Sequence, residues 1–74
     1  MTIRVKFDST TLASASYDAL RSQLQLEFRD GAQYTYAAVA PTLFRDLLSA
    51  SSKGKFFNQY IRSRFSYVRL AAEN

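Results

Sequence analysis

Gln23-Leu24-Gln25-Leu26-Glu27-Phe28-Arg29-Asp30-Gly31-Ala32-Gln33-Tyr34-Thr35-Tyr36 is the stretch that decides the fold. From Gln23 to Arg29 apolar and polar residues alternate, so Leu24, Leu26 and Phe28 share one face of a strand. Asp30-Gly31 is a strong hairpin signal, and Ala32 to Val39 returns as the partner strand, with β-favouring Tyr34, Thr35 and Tyr36 at its centre. Loop length then sets where the tyrosines lie. A two-residue loop, which suits Asp-Gly, pairs Glu27 with Tyr34 and Gln25 with Tyr36. Both tyrosines then lie opposite the leucine face, beside Arg29. A three-residue loop with a bulge slips the register by one and sends both into the core. The turn chemistry favours the first. Its cost is an unusually polar leucine-side face on the partner strand, made of Gln33, Thr35 and Ala37.

Upstream, Ile3, Val5 and Phe7 alternate with Arg4 and Lys6 as a short strand, and Leu12 to Tyr17 alternates weakly. Downstream the period changes. Pro41 suits a first helical turn, and Leu43, Phe44, Leu47 and Leu48 form a helical stripe through about Ala50. Phe56, Phe57, Tyr60 and Ile61 make a second stripe, on a helix from about Lys53 to Ser63. Phe65, Tyr67 and Leu70 then read as an extended tail or edge strand. The expected fold is α+β: an antiparallel meander of three or four strands, with two helices packed on the face of Leu24, Leu26 and Phe28. The 74 residues, Met1 to Asn74, are read as one domain.

Composition narrows the chemistry. The chain has no cysteine and no histidine. That removes thiolate metal sites, cysteine nucleophiles and every mechanism that uses an imidazole base. Asp18, Glu27, Asp30 and Asp46 fall in different elements, without the spacing of a general acid–base pair or of metal ligands. The chain is expected to be no enzyme and to need no cofactor or metal. No apolar run approaches the roughly 20 residues of a membrane span. The N-terminus lacks a signal peptide's continuous apolar stretch, so a cytoplasmic location is expected.

The net charge of +4 is uneven. Through residue 52, Arg4, Lys6, Arg21, Arg29 and Arg45 balance Asp8, Asp18, Glu27, Asp30 and Asp46. The excess comes from Lys53, Lys55, Arg62, Arg64 and Arg69 against Glu73. A concentrated basic region attracts phosphate better than the same charge smeared over a chain. Ser51-Ser52-Lys53-Gly54-Lys55 opens the second helix, where free amides, a glycine and two lysines make Ser52, Lys53, Gly54 and Lys55 a candidate phosphate seat. It is not a P-loop, since Ser49 and Phe56 stand where a glycine and a Ser or Thr are needed. The competing explanation is a Ser52 cap with solvated lysines. Arg62 and Arg64 suit the negative end of a helix dipole, whereas Lys53 and Lys55 sit at the unfavourable end and call for another reason.

Tyr34-Thr35-Tyr36 after the Asp30-Gly31 turn, together with Ser52-Lys53-Gly54-Lys55-Phe56-Phe57-Asn58, resembles the KTSC domain, named for a C-terminal extension of some lysyl-tRNA synthetases. It also occurs as free-standing small bacterial proteins. The resemblance spans about residues 9 to 70, taking in Ser9-Thr10-Thr11 and Tyr17-Asp18. Tyr34 and Tyr36 match the family's central Tyr-x-Tyr motif. Thr35 stands where members often carry a basic residue, Ala40 intervenes before Pro41, and Ala19 and Ser22 replace a Pro and a Gly in the first turn. For this family RNA binding is only a suggestion.

The expected function is a small basic module for RNA, either tRNA or single-stranded. The candidate contacts are Tyr34, Tyr36, Arg29, Lys53, Lys55, Arg62 and Arg64. The alternative is a protein-interaction or homodimerisation module that docks through an edge strand or the Phe65-Ser66-Tyr67 tail.

Overall fold

The structure is a computed structural model and describes residues 2–70. Five strands form one antiparallel meander in sequence order: β1 (Thr2–Lys6), β2 (Leu12–Asp18), β3 (Gln23–Phe28), β4 (Gln33–Tyr36) and β5 (Tyr67–Leu70). Helix α1 (Pro41–Ser49) and helix α2 (Lys53–Phe56) lie between β4 and β5, and α2 continues as a π-helical turn, Phe57–Ile61. The α+β layout and the helix-covered leucine face are as expected. The strand count is five rather than three or four, because β1 and the tail both join the sheet. The second helix ends at Ile61, two residues short of Ser63.

The register corrects the two-residue hairpin. Leu24 pairs with Tyr36, Leu26 with Tyr34 and Glu27 with Gln33. The Phe28 amide donates to the Ala32 carbonyl at 2.9 Å, so the loop is the three residues Arg29, Asp30 and Gly31. Gly31 takes φ +92°, and the Asp30 carboxylate accepts from the Ala32 amide at 3.0 Å. Asp-Gly serves this bulged loop as well as the tighter one, so burial decides. With this register Tyr36 is buried beside Leu24 and Leu26, and Tyr34 is half-buried on the same face. Gln33 and Thr35 turn to the open face, where the Gln25 amide donates to Gln33 Oε1 at 3.0 Å. Tyr34 and Tyr36 therefore lie on the leucine face, not opposite it.

The weak alternation in β2 also has a cause. Leu12 pairs with Phe28 but Ser14 with Glu27, a bulge at Ala13 that shifts the side-chain phase by one. Leu12, Ala15 and Tyr17 consequently all face the core. At its centre Leu12, Leu24, Leu26, Val39, Leu47 and Ile61 are fully enclosed. Helix α1 seals one side: the Phe44 ring stacks on Tyr17 with centroids 5.0 Å apart, and the Tyr17 hydroxyl donates to the Val39 carbonyl. Arg4, Ser14, Gln25 and Glu27 line the polar opposite face, where Arg4 meets Glu27 at 3.5 Å. Among the described residues no helix is long and apolar enough to cross a membrane.

Candidate functional site: an aromatic cleft beside the second helix

The helices cover the sheet unevenly. Toward β4 and β5 the leucine face opens into a cleft of about 410 Å³, walled by Phe28, Tyr34, Tyr36, Phe57 and Tyr67, with Thr11, Asp30, Ala32, Asn58 and Arg62 around it. Each ring is placed by its element. Tyr34 and Tyr36 follow the period of β4. Tyr67 pairs with Tyr36, and Arg69 with Tyr34, so β5 adds one ring and one guanidinium to the same face. The Arg69 guanidinium lies 5.6 Å from the Tyr34 ring centre, a cation–π contact. Phe28 and Phe57 meet edge-on at 5.1 Å, and Phe57 meets Tyr36 edge-on at 6.0 Å, which ties the helix to the sheet at the cleft's back wall.

The π-helical turn lies at this wall. The Arg62 amide donates to the Phe57 carbonyl at 2.9 Å, one residue wider than an α-helical bond. Phe57 and Ile61 stay buried, while Asn58 and Arg62 both border the cleft. The Tyr36 phenol is pushed up to about 12 from its usual 10.0. Burial is the main cause, reinforced by the neighbouring Tyr34 and Tyr67 phenols and opposed by Arg62. Tyr36 is therefore a neutral hydroxyl at any physiological pH.

Of the residues singled out from sequence, the cleft brings together Tyr34, Tyr36 and Arg62. Lys55 is exposed on the second helix. Arg64 is exposed just beyond it, with its Nε donating to the Gln59 carbonyl at 3.3 Å. Arg29 lies elsewhere and holds the β1–β2 loop: its Nε donates to the Ser9 carbonyl at 2.7 Å and a terminal nitrogen to the Phe7 carbonyl at 2.6 Å. Lys53 turns back on the preceding helix, donating to the Ala50 and Leu48 carbonyls at 2.6 and 3.0 Å, with the Phe7 ring centre 5.5 Å away. That explains a cation at an unfavourable helix start, because its charge sits at the negative end of α1. Ser52 caps α2 by accepting the Lys55 amide at 3.3 Å. A Cβ on Gly54 would come within 2.7 Å of the Thr11 hydroxyl, so this glycine lets α2 close on the β1–β2 loop.

Sequence reasoning placed Tyr67 only in a protein-docking tail and did not single out Arg69 or Asn58 as site residues. The period-two run Phe65, Tyr67, Arg69 held the signal for the first two, once the tail is paired in register with β4. Asn58 became visible only with the π-helical turn.

The architecture is that of a small α+β domain with one sheet face under helices and the other open. The chain belongs to the KTSC domain family, which matches residues 8–65. It is 41% identical over 63 residues to a protein of Tsukamurella paurometabola, covering 85% of this chain and 94% of that one. It is 33% identical over 67 residues to a lysine–tRNA ligase of Nostoc punctiforme, covering 90% of this chain but 12% of the ligase. The crystal structure of a KTSC domain protein from Yersinia pestis superposes with a TM-score of 0.89 at 29% identity, over 96% of this chain and all of that one.

Proposed function

We propose that this domain is a non-catalytic nucleic-acid-binding module whose ligand is RNA. The observation that carries this reading is the cleft itself, an aromatic wall with Tyr67 exposed and Arg62 at its border, where the second helix and the tail bring part of the chain's positive excess beside the tyrosines of β4. Aromatic rings offer stacking surface to any base, and basic side chains beside them hold phosphates. Lys55, Arg62 and Arg64 are exposed along and just beyond the second helix and supply those contacts. The similarity to a region of lysine–tRNA ligases, proteins named for a tRNA substrate, supports RNA over DNA. Fluorescence anisotropy against mixed tRNA and single-stranded RNA at rising salt tests it. Binding should weaken with a slope of roughly 0.7 per neutralised phosphate on single strands. Arg62→Ala combined with Tyr67→Ala should remove about tenfold or more. Absence of binding at tens of micromolar in low salt overturns the reading.

One observation favours a second reading. Among the described residues β5 pairs on one side only, and Val68 and Leu70 are exposed on its polar-face side. A copy of the chain pairing along this edge would cover them. Sedimentation that shows only monomer at high concentration would discard that reading.

A further inference from the structure

The cleft offers less stacking surface than its number of rings implies. Tyr34 packs against Tyr36 at 6.3 Å and near-parallel, and it also carries the Arg69 guanidinium on its ring. Tyr36 is almost wholly enclosed, and Phe28 and Phe57 meet each other edge-on. Tyr67 is the ring with free surface, 56% exposed. One platform takes one base. The volume of about 410 Å³ agrees, because it lies toward the small end of the range for single small-molecule sites.

The polar groups of the cleft form a donor set. The Tyr34, Tyr36 and Tyr67 ring centres lie within 5.5–6.3 Å of one another, and Arg62 lines the same cleft. Phenol hydroxyls beside a guanidinium suit the oxygens of a phosphate, and guanidinium–phosphate bonds are the strong, charge-assisted kind. Asp30 is the one carboxylate among the lining residues, and it is engaged with the Ala32 amide of the hairpin loop. An anion is therefore directed to Arg62 and away from that loop. Asn58, one helical turn before Arg62, presents a donor and an acceptor to the same space.

We propose that the cleft takes one unpaired, phosphate-bearing nucleotide, with the phosphate on Arg62 and the tyrosine hydroxyls and the base on the Tyr67 ring. The domain then grips RNA at a chain end or a bulge and does not track along a strand. This rests on the nucleic-acid reading and narrows it to one nucleotide per domain.

Calorimetry and amide NMR on the full chain test it with adenosine 5′-monophosphate, adenosine and inorganic phosphate. A single strand of roughly 12 nucleotides, with and without a terminal phosphate, completes the set. The monophosphate should bind at one site, shift Tyr67, Asn58 and Arg62, and compete with the oligonucleotide. Adenosine and inorganic phosphate should each bind about tenfold more weakly or less. Preference for the phosphorylated strand supports a chain end, and equal binding of both strands with competition by the monophosphate supports an internal unpaired nucleotide, the kind a bulge presents. Arg62→Gln should abolish the preference for monophosphate over adenosine, and Tyr67→Ala should weaken both. If the oligonucleotide binds tightly, gains affinity with length and ignores the monophosphate, this inference is overturned while the nucleic-acid reading stands. If no probe binds, both fall.

Discussion

One face of one sheet carries two different surfaces. Around Leu12, Leu24, Leu26, Leu47 and Ile61 the helices close over aliphatic side chains that are fully enclosed. On the neighbouring strands β4 and β5 of the same face, Tyr34 and Tyr67 stand beside an open cleft bordered by Arg62 and Asn58. The aliphatic side chains have no polar atom to satisfy, so complete burial is their lowest-energy state. Tyrosine has a large apolar ring and a hydroxyl that wants a partner, so it sits well at a partly wet boundary. The difference separates what holds the fold from what is free to bind, and it can be tested from both sides.

The largest effect belongs to the closed region. Leu26→Ala and Ile61→Ala each remove fully enclosed side-chain volume and should cost about 2–5 kcal/mol. A domain of this size has only about 5 kcal/mol or somewhat more to lose, so urea unfolding should find either variant barely folded. Tyr67→Ala in the open region should move the urea midpoint little. An equal loss at Tyr67 would erase the distinction.

Next in size come the two lysines of the second helix. Lys53→Ala should lose roughly 1 kcal/mol, through the bonds to the Ala50 and Leu48 carbonyls. Lys55→Ala should be nearly neutral to stability and reduce the salt slope of RNA binding. The reverse order in thermal melts would show that the Lys53 contacts are not maintained in solution.

Tyr36 sharpens the boundary between the two regions. Its folded value, raised to about 12, exceeds the usual 10.0 of an exposed phenol. Between those values the unfolded chain loses the proton and the folded chain keeps it. Its contribution to stability is therefore full below pH 10 and is lost as pH rises toward 12. In tyrosinate absorbance of the native protein, the phenol that disappears in Tyr36→Phe should be one that titrates late, toward 12. Arg62→Gln should delay it further, because the opposing charge is gone. A Tyr36 that ionises at the usual 10.0 would place it in water.

The smallest effect lies in the link from β4 to α1. Ala38 has φ +59°, a left-handed conformation that disfavours a Cβ. Ala38→Gly relieves that strain but adds freedom to the unfolded chain, so a net gain of up to about 1 kcal/mol is expected. A lower melting temperature would show that the Ala38 methyl group contributes contacts larger than the strain.

Much of the fold was legible in the sequence. The alternation of Gln23 to Arg29 and the stripes of both helices have one physical solution each. The register was not, because Asp30-Gly31 satisfies two loop geometries and only the burial of Tyr34 and Tyr36 chooses between them. That polar leucine-side face of Gln33 and Thr35 was the signal against the tighter loop. β2 was obscured by its bulge at Ala13. For the site, Tyr34, Tyr36 and Arg62 were named from sequence and converge. Arg29 and Lys53 were named for their charge, but charge alone does not reveal that each is engaged by backbone carbonyls. Tyr67 and Asn58 need pairing across about thirty residues and a widened helical turn, and neither can be read from local pattern.

On the proposed reading RNA is held at the open region, with Lys55 an outlying phosphate contact, and not in a seat made by Ser52, Lys53 and Gly54. The direct measurement is a residue-resolved NMR titration of the intact chain with short single-stranded RNA at low salt. The prediction is that Tyr34, Asn58, Arg62 and Tyr67 shift together and saturate at one affinity, while Ser52, Lys53 and Gly54 hold still. Shifts confined to Ser52 through Lys55, with the tyrosines unmoved, would contradict it.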